Sequence, residues 1–320
     1  MKISGKGCTM SDYFVEIGDK FDKLINKREN CHVVIKRLGA EVISYRVWDE
    51  DNQIILPLLW NDNNDSPPPQ GGWKNHATVL FPHVGGLKNK ESRLGDIKII
   101  SPGNHGFARH SIFEAVDHGN DTCAYIHYCL RANDETRRYY PFNFRLDVIY
   151  SLKENELSAE FEVTNMEEER DIFFSLGWHP GFSTSFPDLG GKKRDWQIIF
   201  KRGRYRRYIN NENCRLTGEI EDFDIAGPFG WTEEELERTI MLEIENKGLR
   251  TCEFFNPKIK KGVKIDFEDF PFLAIWSEVG REFVCLEPCQ GLDDREIQES
   301  FDQKVGIVRL GASASRKWRA

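Results

Sequence analysis

Apolar and polar residues alternate with a period of two along much of the chain. Leu157, Ala159, Phe161 and Val163 fall on one face of an extended segment, and Ser158, Glu160, Glu162 and Thr164 fall on the other. That is the pattern of a strand with one buried face. Val33–Ile35 and Glu41–Val47 flank Gly39-Ala40 and predict a hairpin or bent pair. Further short apolar runs lie at Ala124–Leu130, Leu146–Tyr150, Ile172–Leu176, Trp196–Phe200, Ile240–Ile244, Val263–Phe267, Phe272–Trp276 and Phe283–Leu286. Turn-forming clusters separate them, at Asn61–Gly72, Ser101–Gly106, Asp188–Lys192 and Gly227–Gly230. Helical signal is sparse. Thr232–Arg238 is the best candidate, with Thr232 as cap and Glu235 at capping-box spacing. Ser11–Asn26 is a second candidate with a mixed pattern. Strand-like segments resume after the proline-rich loop at Asn61–Gly72 without a change in composition. One large antiparallel β domain over residues 1–320, with few short helices, is therefore expected.

Composition narrows the function. Lys and Arg number 44 against 52 Asp and Glu, a net charge of −8, which argues against general nucleic-acid binding because phosphate neutralisation needs a basic surface. The stretch Lys201–Tyr208 is basic with interleaved aromatics. In an acidic chain it reads as a solvated hairpin face. No apolar run approaches the roughly 18 residues of a membrane helix, and Met1–Met10 lacks an apolar signal core, so a cytoplasmic protein without membrane contacts is expected. The eight cysteines form no C-x-x-C pair. Cys123, Cys129, Cys252 and Cys285 sit in strand-like runs as expected of reduced core thiols. Glycine-rich phosphate loops and a G-x-S-x-G elbow are absent.

Three segments carry candidate chemistry. In Gly103-Asn104-His105-Gly106-Phe107-Ala108-Arg109 a turn presents His105, as a surface histidine or as an acid, base or donor. In Gly177-Trp178-His179-Pro180-Gly181-Phe182, His179 is expected where a strand runs out into a loop, with Trp178 and Phe182 either as flat walls for a sugar or as core. In Phe283-Val284-Cys285-Leu286-Glu287-Pro288, Glu287 follows four apolar residues. A carboxylate there needs a partner or a function, and partial desolvation would raise its pKa toward that of a general base. The alternative is a salt-bridged structural glutamate.

Taken in order, Gly39–Ser44, Val79–Gly85, His105–Arg109, Trp178–Phe182, Asp269–Ser277 and Cys285–Pro288 resemble the aldose 1-epimerase (galactose mutarotase-like) family, in its LacX-like branch. The resemblance implies a large antiparallel β-sandwich with its site in a groove on one sheet. It implies interconversion of the α and β anomers of an aldose, with no metal and no organic cofactor. Glu287 would be the base at the C1 hydroxyl, His179 the acid at the ring oxygen, and His105 a donor stabilising developing charge. Acid and base need environments that push their pKa values apart.

One position departs from the pattern. The LacX-like arginine falls on Gly86, and the wider family's Asn-Arg pair is nearest to Asn89-Lys90. Lys88, Lys90 or Arg109 are the candidates to take over, and Trp178 completes the predicted substrate-binding set. The partner expected is a small sugar, a free hexose first and a hexose phosphate second, acting on a monomer or homodimer. A non-catalytic sugar-binding protein of the same fold is the alternative from another class. A β-sandwich glycosidase would need two flanking carboxylates, and only Glu287 has a suggestive context.

Overall fold

The computed structural model describes residues 12–62, 68 and 71–320. Cys8 and most of the proline-rich loop lie outside them. The described chain is built almost wholly from antiparallel strands, with two short α-helices, Asp134–Tyr139 and Glu233–Glu237. No helix among the described residues is long and apolar enough to cross a membrane.

Alternation does what the sequence leads one to expect. The strand Glu156–Asn165 buries Ala159, Phe161 and Val163 while Glu160 and Glu162 stay partly exposed. It sits in a five-stranded sheet with Ser315–Arg319, Phe144–Lys153, Ala124–Arg131 and Glu114–Gly119. Its inner side chains pack with Trp318, Tyr128 and Tyr150 in the main core. Across that core lies a seven-stranded sheet ordered Leu216–Ile225, Gly203–Asn210, Ile240–Glu243, Phe272–Trp276, Phe283–Gln290, Leu176–Ser183 and Ala77–Leu80. Two of these strands, Leu176–Ser183 and Phe283–Gln290, are buried along nearly their whole length. Both faces are covered, so residues on either side are buried, the polar His179, Glu287 and Gln290 among them.

The two faces of this sheet differ. One presents Trp178, Leu273, Ile275, Val284 and Leu286 to the main core. The other carries a smaller apolar cluster of Leu80, Val84, Leu216, Met241, Phe272, Ala274, Cys289 and Leu292, next to the polar residues described below.

Two expectations change, and one element is additional. Ser11–Asn26 contains strands Tyr13–Glu16 and Phe21–Asn26 rather than a helix, because pairing with Cys31–Lys36 buries Leu24 and Asn26 on one face. The additional element is the short helix Asp134–Tyr139, which Asn133 caps with a capping box to Thr136. His179 is in mid-strand, since Leu176–Ser183 continues through it. By contrast, Glu233–Glu237 has the Thr232–Glu235 capping box. The basic stretch forms a hairpin strand whose charges are met by acids: Arg204 and Arg206 by Asp222, Arg206 also by Glu243, and Arg207 by Glu235. The described cysteines are all free, five of them buried and Cys123 and Cys214 half-buried.

Candidate active site

His179 and Glu287 come from neighbouring central strands. Gly177 pairs with Cys289 and Gly181 with Cys285, so the register sets His179 across from Glu287. Alternation points both side chains to the face away from the main core. His179 Nε2 lies 3.2 Å from Glu287 Oε1. The two residues are only 4% and 3% exposed.

His105 reaches the pair from a turn. Its backbone is left-handed (φ 68°), as is that of Gly106 (φ 73°), a conformation that costs a non-glycine residue about 1 kcal/mol or more. Clamping by the Phe81–Gly85 segment holds it. His105 N–H donates to Gly85 O at 2.7 Å, and Phe81 N–H donates to His105 O at 3.2 Å. Phe107 and Ala108 N–H both donate to Phe81 O at 3.1 Å. A Cβ at Gly106 would collide with that same carbonyl oxygen, so the close approach demands glycine. The His105 ring stands perpendicular to His179, with centroids 5.2 Å apart. Gly85 N–H donates to His105 Nδ1 at 3.1 Å. Nδ1 is therefore the acceptor, which leaves the proton of the neutral ring on Nε2.

Electrostatics sort these groups. Burial, reinforced by the Asp293 carboxylate, pushes Glu287 well above the usual carboxylate range, against the pull of Arg109. Burial, then the Arg109 charge, drives His179 down to about 3. Burial likewise holds His105 well below the ordinary imidazole range, with His179, Arg109 and His83 adding to the effect. Both shifts favour the uncharged form of each partner, the carboxylic acid of Glu287 and the neutral imidazole of His179. Arg109 is the nearby cation. Asn75, with its amide oxygen turned to the donors, accepts from the Arg109 guanidinium and from Trp73 Nε1 at 3.2 Å.

The aromatic wall is not the one expected. Trp178 and Phe182 alternate onto the opposite face, where Trp178 lies 6.3 Å from the Tyr150 ring, and both residues line a half-open cavity of about 970 Å³. Strand periodicity alone makes His179 and Trp178 point apart. The ring on the His179 face is Trp73, stacked on His179 with centroids 4.9 Å apart and planes at 26°. Trp276 stands edge-on to both at 5.7–5.9 Å. Trp73 is fixed at both backbone ends. Its N–H donates to Glu278 Oε2 at 2.8 Å, and its carbonyl accepts from Trp60 Nε1 at 2.9 Å.

The lysines are also placed away from the pair. Lys88 Nζ donates to the Glu296 carbonyl at 2.6 Å near the surface, and Lys90 is exposed. The guanidinium beside Gly86 belongs to Arg215, which donates to the carbonyls of Gly86 and Leu87. Asp293 faces the same turn, accepting from Gly86 N–H at 2.7 Å, in space that a side chain at Gly85 would fill. Trp73, Asn75, Arg215 and Asp293 lack a local sequence signal. Only Trp276 lay inside a segment already singled out.

The chain belongs to the aldose 1-epimerase family, which it matches over residues 23–293. Protein LacX of Lactococcus lactis subsp. lactis, in its plasmid form, is 27% identical over 314 residues, covering 90% of this chain and 95% of LacX. The X-ray structure of a galactose mutarotase related enzyme from Lactobacillus acidophilus superposes with a TM-score of 0.76 at 26% identity, over 96% of this chain and 95% of that one. A galactose mutarotase-like protein from Lactobacillus casei ATCC 334 shares the fold, with a TM-score of 0.76 at 24% identity over 96% and 98% of the two chains. The fold is accordingly that of the galactose mutarotase-like proteins.

Proposed function

We propose that this chain is an aldose 1-epimerase that interconverts the α and β anomers of a free hexose. The observation that carries the reading is the buried His179–Glu287 pair at 3.2 Å, roofed by Trp73 and flanked by His105.

The chemistry follows from the proton inventory. Transfer of one proton from the Glu287 carboxyl to His179 would turn a neutral pair into a carboxylate base and an imidazolium acid without net proton uptake. Glu287 then removes the C1 hydroxyl proton as His179 protonates the ring oxygen, and the C1–O5 bond breaks. The products are an aldehyde and a free hydroxyl, and the pair is again neutral. After rotation about C1–C2, the neutral pair is the form required for closure: His179 takes the hydroxyl proton and Glu287 returns one to the aldehyde oxygen. His105 Nε2–H donates to oxygen as charge develops, and the Trp73 and Trp276 rings pack against the sugar's C–H faces. General acid–base catalysis of this kind contributes roughly 10²–10⁴-fold.

A free hexose is preferred over a hexose phosphate because, of the two lysines expected for a phosphate, Lys88 donates to the Glu296 carbonyl and Lys90 is exposed. The retained acid–base set argues against a purely binding role. The test is anomer exchange followed by NMR with glucose, galactose and their 6-phosphates. Acceleration by wild type that Glu287→Gln and His179→Asn each lose by about 10²-fold or more, with melting temperatures preserved, is the expected result. Wild-type rates in either variant overturn the assignment of base or acid. No acceleration for any sugar overturns the enzyme reading.

A further inference from the structure

Cys285 is a thiol that ring opening does not use, yet it lies beside the reacting pair. Cys285 and Glu287 are two apart on one strand and so share a face. His179 stands across from them on the neighbouring strand. The imidazole nitrogen, the thiol sulfur and a carboxylate oxygen all lie within 4.8 Å of one another, and all three residues are buried. Across from Cys285 the paired residue is Gly181, where a Cβ would lie 3.2 Å from the sulfur and 2.6 Å from the Trp73 ring, so the glycine lets the indole pack beside the thiol.

We propose that His179, Cys285 and Glu287 form a binding site for a thiophilic divalent cation such as Zn²⁺, whose occupation blocks the site. The nitrogen, sulfur and oxygen set suits zinc and not magnesium or calcium, which prefer oxygen alone. The His179 Nε2 to Glu287 Oε1 distance of 3.2 Å is close to the separation of two ligands each about 2.0–2.1 Å from one tetrahedral zinc. With thiolate and carboxylate ionised the ligands carry two negative charges, which the dication neutralises. The thiol proton, and the carboxyl proton where present, leave to solvent. Three protein ligands leave a fourth position open to water. The ion is not a cofactor here. It occupies the lone pairs that the acid–base reading assigns to catalysis, so the inhibitory half of the proposal rests on that reading, and the binding half does not.

Co²⁺ serves as the probe because its thiolate complex gives a near-ultraviolet charge-transfer band. The EDTA-treated, dialysed full chain is titrated with Co²⁺ and then with Zn²⁺ in competition. One equivalent of Co²⁺ with a thiolate band, displaced by Zn²⁺, is expected. Cys285→Ser, and separately Cys285→Ala, each lose the band and weaken Zn²⁺ binding by more than about ten-fold, the scale on which even outer-shell changes act. Circular dichroism and melting curves establish that both variants are folded. A band that survives in both variants, or no binding by wild type, overturns the site. In parallel, Zn²⁺ slows wild-type anomer exchange, and Cys285→Ser raises the half-inhibiting Zn²⁺ concentration more than about ten-fold relative to its own metal-free rate. Cys285-dependent Co²⁺ binding by a chain that accelerates no sugar would leave the metal site standing and remove the epimerase. Anomer exchange without metal binding would do the reverse.

Discussion

Gly86 and Arg215 share one small volume. A Cβ on Gly86 would lie 3.1 and 3.3 Å from the two terminal nitrogens of the Arg215 guanidinium and 2.8 Å from Asn104 Oδ1. The space that a side chain at residue 86 would enter is thus occupied by an arginine from 129 residues further along the chain. The glycine makes room for it, and the backbone carbonyls of Gly86 and Leu87 hold it.

Arg215 is accordingly expected to contact substrate. Arg215→Ala should raise KM in the anomer-exchange assay by about 10-fold or more, since a hydrogen bond to a charged group is worth about 1.5–3 kcal/mol, with kcat changed much less. Gly86→Arg alone should also impair binding, because it crowds Arg215. Combining it with Arg215→Ala should recover part of the loss, a coupling that a double-mutant cycle reads directly. Additive losses would show that the two positions do not share a role.

Trp73 and Trp178 should separate cleanly. Trp73→Leu removes the ring stacked on His179 and should raise KM by about 2- to 10-fold, the value of an aromatic stack, with little change in melting temperature. Trp178→Leu empties part of the main core and should destabilise the fold by about 2–4 kcal/mol in urea unfolding, with KM nearly unchanged. The opposite pattern would mean that the sugar binds on the other face of the sheet.

Gly106→Ala should damage both fold and site. The new methyl would meet the Phe81 carbonyl oxygen, and alanine at φ 73° is strained. More than about 1 kcal/mol of stability should be lost, together with the placement of His105. Melting curves and kcat, measured on one preparation, check both effects.

Asp293 gives a pH-dependent prediction. Burial pushes its carboxyl from 3.8 up to about 6, and Asp294 adds to this, while Gly86 N–H, Lys304 and Arg215 restrain it. A folded pKa raised above the unfolded one favours the fold below the unfolded value, and that stabilisation is lost as pH rises through the folded value. The buried charge therefore costs stability above about pH 6, on the order of 2–3 kcal/mol. Asp293→Asn, which keeps an acceptor for Gly86, should be more stable than wild type by up to that amount at pH 8. Its advantage should shrink toward zero near pH 4. A pH-independent difference in urea unfolding would contradict this origin.

Much of the architecture was legible in local pattern. Period-two burial marks Glu156–Asn165 as a strand whatever it pairs with, and a capping box marks Glu233–Glu237. His105, His179 and Glu287 stand out because a histidine in a glycine turn and a carboxylate after an apolar run are locally costly choices. The basic run Lys201–Tyr208 reads as a hairpin face in an acidic chain, and its acidic partners Asp222, Glu235 and Glu243 bear that out.

What only the tertiary structure decided is which side of the sheet each residue faces and which distant residues meet there. Trp178 stands beside His179 in sequence and on the opposite face in space, because successive strand residues point apart. Trp73, Arg215 and Asp293 reach the site from loops far along the chain, so no local spacing announces them. Alternation is a property of neighbours along one strand, and sequence carries it. A site is assembled across strands and loops by register and close packing, which exist only once the chain has folded.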